Sequence, residues 1–139
     1  MAKADVGEAR FSILLYGDDL PMAEVEELLA LKAVRTLRKG DVVNQLPLIR
    51  AETDEWIYTI PMVAPEGEDA GLNQLLTHLL AHGDALKKLQ DKYTVELRMY
   101  VQSDYAQMAY CLMPETLTKL AELALPLSVS SLSWGEVDV

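Results

Sequence analysis

Between Glu55 and Val101 the hydrophobic period changes from two to between three and four, then back to two, and this switch restricts the chain to a mixed fold. Trp56, Tyr58, Ile60 and Met62 alternate with Ile57 and Thr59, as in a strand with one apolar face. Leu72, Leu75, Leu79, His82, Leu86, Leu89 and Tyr93 then step by three and four, the stripe of an amphipathic helix. Val95, Leu97, Met99 and Val101 alternate again, opposed to Glu96, Arg98 and Tyr100. Neither an all-helical bundle nor an all-strand sandwich accommodates that succession, so the expected class is α+β.

The flanking sequence extends the pattern. Phe11 to Leu15 is an apolar strand stopped by Gly17-Asp18-Asp19, and Val25, Leu28 and Leu29 mark a helix from Pro21 to Leu31. Asp18 and Asp19 are expected to cap that helix. Val34 to Lys39 reads as a short strand, residues 41–53 as irregular around Pro47, and Pro61 as a strand end or a sheet edge. Gly83-Asp84 is expected to kink or split the long helix between Ala70 and Tyr93, with Asp84 capping its second piece. Gln102-Ser103-Asp104 reads as a turn into a partner strand, Tyr105 to Leu112. Pro114 opens a helix carrying Leu117, Leu120 and Ala121, and Leu127 to Trp134 is a last strand. Two blocks, Phe11 to Leu31 and Val95 to Leu125, each run strand, proline-initiated helix, strand. They suggest pseudo-repeated strand-helix-strand halves joined by the long helix, a ferredoxin-like arrangement with extra strands. The sheet is expected to be mostly antiparallel, with helices on one face and the other face partly open. A single domain over residues 10–139 is expected, with 1–9 as a short frayed leader.

The charge balance narrows the function classes. Twenty-two acids against twelve bases give a net charge of −10. Such a field repels phosphate backbones and anionic headgroups, so nucleic acid and membrane surfaces are not expected partners. A basic protein partner is favoured instead, and exposed strand edges leave a homodimer open. With no apolar run of membrane-spanning length and Cys111 as the single cysteine, the chain reads as cytoplasmic.

With these elements placed, the chain resembles the domain of unknown function 4279 family of small, mostly bacterial proteins. The resemblance rests on Phe11-Ser12-Ile13 running into Gly17-Asp18-Asp19-Leu20, on Leu28-Leu29-Ala30-Leu31, and on Arg35-Thr36 through Lys39-Gly40. It continues through the Trp56 strand, Leu86 to Leu97, and Met113-Pro114-Glu115-Thr116-Leu117 to Ala124. Val34 and Leu37 stand where the family pattern has proline and tryptophan. The motifs are turns, caps and core positions; they imply a fold and carry no catalytic residues.

Few constellations carry chemistry. Arg35, Arg38 and Lys39 are the one basic cluster, and with Trp56 and Tyr58 beside it they would clamp a carboxylate or other small anion. The competing reading pairs these bases with Asp18, Asp19 or Glu55. His78 and His82 share a helix face at i, i+4 but lack the third ligand a catalytic zinc needs, so they read as half-buried helix residues. No metal or other cofactor is implied. Cys111 reads as an inert buried thiol. Tyr16, Trp56, Tyr58, Tyr100, Tyr105, Tyr110 and Trp134 would form a recognition surface if they shared the uncovered sheet face. The leading expectation is therefore a non-enzymatic acidic protein-binding module, an immunity-type inhibitor or an adaptor. The alternative is a small-anion ligand-binding domain or enzyme using the cluster at 35–39.

Overall fold

The computed structural model describes residues 8–61, 69–103 and 111–133. In chain order the elements are β1 (Glu8–Gly17), α1 (Met22–Leu29), β2 (Arg35–Leu37), β3 (Val42–Gln45), β4 (Leu48–Arg50) and β5 (Asp54–Pro61). They continue with α2 (Ala70–Ala81), α3 (Gly83–Lys92), β6 (Thr94–Ser103), α4 (Pro114–Leu123) and β7 (Leu127–Ser133). A five-stranded sheet has the order β2-β5-β1-β6-β7, antiparallel throughout except for the parallel pair β6–β7. The class is α+β, as the switch in period requires.

Register explains the layering. Phe11, Ile13 and Leu15 lie opposite Ile60, Tyr58 and Trp56 on β5, and opposite Met99, Leu97 and Val95 on β6. Because side chains alternate along a strand, these rows share one face. That face meets Val25 and Leu29 of α1, the Leu72 to Leu79 stripe of α2, and Leu86 and Leu89 of α3 in one buried core. Trp56, Phe11, Ile13 and Leu97 are all fully enclosed there. Among the described residues no helix packs on the other face, which carries Arg10, Ser12 and Tyr16 of β1.

The long helix does split at Gly83, since His82 leaves helical geometry between α2 and α3. Its caps differ from expectation. Neither Asp18 nor Asp19 bonds the first turn of α1, whose cap position is Pro21, and Asp19 instead occupies a left-handed turn at φ 53°. Asp84 sits in the first turn of α3 without capping it. Residues 41–53, expected to be irregular, contain the β3–β4 hairpin, a separate two-stranded sheet. Every residue of its two strands is exposed, so no buried face imposed a readable alternation. Pro61 closes β5 beyond the reach of β2, where its missing N–H costs no ladder bond.

α4 is tied to α2 by polar contacts. The Met113 amide donates to Asp69 Oδ2 at 2.7 Å, and the Lys119 ammonium bonds Asn73 and donates to Thr77 Oγ1. Cys111 is exposed, against the expectation of burial, because residues 111–113 form an unpaired lead into α4. Of the leader expected at 1–9, residues 8 and 9 belong to β1, and of the strand expected at 105–112, residues 111 and 112 are irregular; the rest of both, with Met62 and Trp134, lies outside the described residues. No helix among the described residues is long and apolar enough to cross a membrane.

Candidate functional site

The structure separates the five residues that the sequence grouped. Arg35 lies on the uncovered face, opposite Ile57. Arg38 turns away into an ion pair with Asp54 at 2.7 Å and donates to the Leu20 carbonyl at 2.9 Å. Lys39 offers its backbone N–H to Asp54 Oδ1 at 2.8 Å. Trp56 is sealed in the core, and its Nε1–H has no acceptor among the described residues. Tyr58 is on the helix-covered face, half-buried, beside His78 and Leu31 in a cavity of about 390 Å³.

Asp54 organises the loops at that end of the sheet. Its Oδ2 also accepts the Leu20 N–H at 3.1 Å, so one carboxylate joins the entry to α1, the turn after β2 and the start of β5. The Lys39 amide, the Arg38 guanidinium and the Leu20 amide hold its carboxyl below the usual carboxylate range, against the opposing cost of burial. The competing expectation, that the basic cluster pairs with nearby acids, holds for Arg38, but its partner is Asp54 and not Asp18, Asp19 or Glu55.

The uncovered face holds a different constellation. A concave depression of about 520 Å³ spans β2, β5, β1 and β6, within the size range of small-ligand pockets. Among the described residues its lining includes Arg10, Arg35 and Arg98, and no carboxylate. At its centre Ser12 Oγ and Thr59 Oγ1 bond each other across the β1–β5 pair at 2.8 Å. Leu14 and Ile57 continue the floor toward Arg35 as apolar surface. The Arg10 guanidinium lies over the Tyr100 ring, 4.8 Å from its centroid, which restricts its rotamers by a cation–π contact. Arg98 reaches Glu96 at 3.2 Å. Glu96 also accepts the Tyr16 hydroxyl at 2.9 Å, and that bond, with burial and the Glu96 charge behind it, raises the tyrosine pKa. Among the described residues Arg35 makes no ion pair.

Arg10, Ser12, Thr59, Arg98 and Tyr100 were not singled out together from sequence. The available signal was their parity: each occupies the polar phase of an alternating strand. The pairing that unites them joins residues as far apart as 10 and 100. Of the aromatic residues, Tyr16 and Tyr100 belong to this face, while Trp56 and Tyr58 belong to the covered one.

The histidines form no metal centre with their neighbours. Their rings stack at 4.4 Å, with His78 Nε2 bonded to the Leu29 carbonyl at 2.7 Å and His82 Nδ1 to the His78 carbonyl at 2.9 Å. Among the described residues no group of three His, Cys, Asp or Glu is placed to hold a metal ion.

The fold and face define an α+β protein with one helix-covered sheet surface and one arginine-lined open surface. The family model for the domain of unknown function 4279 matches residues 7–134, and the chain belongs to that family. Neither the curated proteins nor the solved structures gave a match to this chain.

Proposed function

We propose that the chain is a ligand-binding module whose open sheet face takes a small anion. The observation that carries this reading is a depression that, among the described residues, is lined by three of the twelve basic residues and by no acid, in a chain of net charge −10. Guanidinium groups present planar paired donors that match carboxylate and phosphate oxygens. The reading keeps Arg35 from the sequence-derived cluster and replaces Arg38, Lys39, Trp56 and Tyr58 by Arg10 and Arg98. A thermal-shift screen of carboxylates and phosphate esters tests it. Millimolar anion is expected to raise the melting temperature of the wild-type protein and not of an Arg10→Gln/Arg98→Gln variant. Equal shifts in both, or none in either, would refute it.

A second reading, a protein-binding module that draws a basic partner by its charge, is favoured by the β3–β4 hairpin. Val42, Val43, Leu46, Leu48 and Ile49 are all exposed there, with Leu46 at 89%. Sedimentation of the purified chain at low and high salt with a basic protein would detect such a complex.

The ferredoxin-like plan with two related halves belongs to the same proposal. In its favour, β1-α1-β2 places β5 between two parallel strands, and β6-α4-β7 also joins parallel strands through a helix. Both helices end at a left-handed alanine, Ala30 at φ 54° and Ala124 at φ 53°, each followed by leucine.

A further inference from the structure

We infer that the open-face site selects an elongated dianion, a molecule with an anionic group at each end of a short carbon chain, over a monoanion. This rests on the anion-binding reading above and specifies its ligand class.

The three arginines stand at two separate places on the face. Arg98 pairs in register with Ser12, two residues along β1 from Arg10, so Arg10 and Arg98 are diagonal neighbours about 7–8 Å apart. They form one cationic station. Arg35 is opposite Ile57, which is opposite Leu14, four residues along β1 from Arg10. That is roughly 14 Å along the strand direction and about 10 Å across two strand spacings. Arg35 is thus a second station, too far from the first for a single carboxylate to engage both guanidinium groups with its two oxygens.

The floor between the stations decides what can bridge them. Leu14 and Ile57 are apolar, and Leu14 is nearly fully buried. The Ser12 and Thr59 hydroxyls face each other, so one of their two protons is committed to the other oxygen. A negative charge placed over Leu14, which lies opposite Glu96 on β6, would lose water and gain no donor there, which is unfavourable. Methylene groups lying across this stretch need no donor and bury the half-exposed apolar surface of Ile57. Charge at both ends and hydrocarbon between them is the pattern complementary to this face.

The stations also differ in readiness. Arg10 is oriented by the Tyr100 ring, and Arg98 is shared with Glu96, whereas Arg35 makes no ion pair among the described residues. The first station therefore binds either class of anion, and the second distinguishes them.

Isothermal titration with the linear dicarboxylates succinate, adipate, suberate and sebacate, each against the monocarboxylate of equal length, tests the inference. The same series as alkane bisphosphates separates phosphate from carboxylate ends. In the wild-type protein the best dianion is expected to bind at least tenfold more tightly than its monoanion, with an optimum inside the series. Arg35→Gln, checked for folding by circular dichroism, should bring the two within about twofold, while Arg98→Gln weakens both. Equal affinity for monoanions and dianions in the wild-type protein, or an undiminished preference in Arg35→Gln, would overturn the inference and leave the anion reading standing. Failure of every anion to bind would remove both.

Discussion

Asp54 is one of six acids between Glu52 and Asp69, and nothing in its local sequence distinguishes it. In the fold it is the acceptor for two amides and one guanidinium drawn from two segments, the entry to α1 and the turn after β2. Its depressed pKa has a signed consequence. A carboxyl whose folded pKa lies below its unfolded value of about 3.9 contributes stability that is complete above that value and is lost as pH falls through the folded pKa. Asp54→Asn is therefore expected to lower the melting temperature by several degrees at pH 7. The gap between wild-type and variant curves should narrow as the pH falls below about 3.9 and close only below the folded pKa, where the aspartate is protonated in both states. Melting curves recorded from pH 7 to pH 3 check this, and parallel curves across that range would deny the carboxylate its role.

At the scale of elements, the two helices that flank the sheet's outer connections end in the same way. Ala30 and Ala124 take left-handed backbone conformations, which place Cβ against the following carbonyl and favour glycine. Ala30→Gly and Ala124→Gly are each expected to stabilise the protein by about 0.5–1 kcal/mol, the relief of strain exceeding the entropy glycine adds to the unfolded chain. Chemical denaturation measures both, and a loss of stability would show that the backbone is unstrained there. Neither alanine announces its conformation in sequence, because the helical period simply ends. What sequence does announce is burial. The alternation in β5 and β6 and the stripe from Leu72 to Leu89 foretold which faces pack, since each periodic residue lost exposure to the same core. The hairpin at β3–β4 stayed illegible for the converse reason: with no residue of its strands buried, neither phase of its alternation was selected. The open-face arginines were hidden by distance. Arg10, Arg35 and Arg98 come from three strands, and their convergence depends on β5 and β6 flanking β1, a choice that periodicity does not encode.

For the whole molecule, net charge and local charge point in opposite directions. A chain of −10 repels anions at long range, yet within about 8 Å, the screening length at physiological salt, the arginines of the depression dominate. Anion binding at this face would accordingly be short-ranged and specific, without the long-range steering that a uniformly basic protein exerts. The aromatic recognition surface considered from sequence is divided by the sheet, with Trp56 and Tyr58 beneath it and Tyr16 and Tyr100 above. The open face is defined by guanidinium groups more than by rings. The central claim, that this face is where the molecule meets its ligand, is tested most directly by backbone amide NMR during titration with suberate. The account predicts saturable shifts at Ser12, Thr59, Arg98 and Tyr100, with Val25, Leu76 and Leu89 unmoved; shifts confined to the helices or to the β3–β4 hairpin would contradict it.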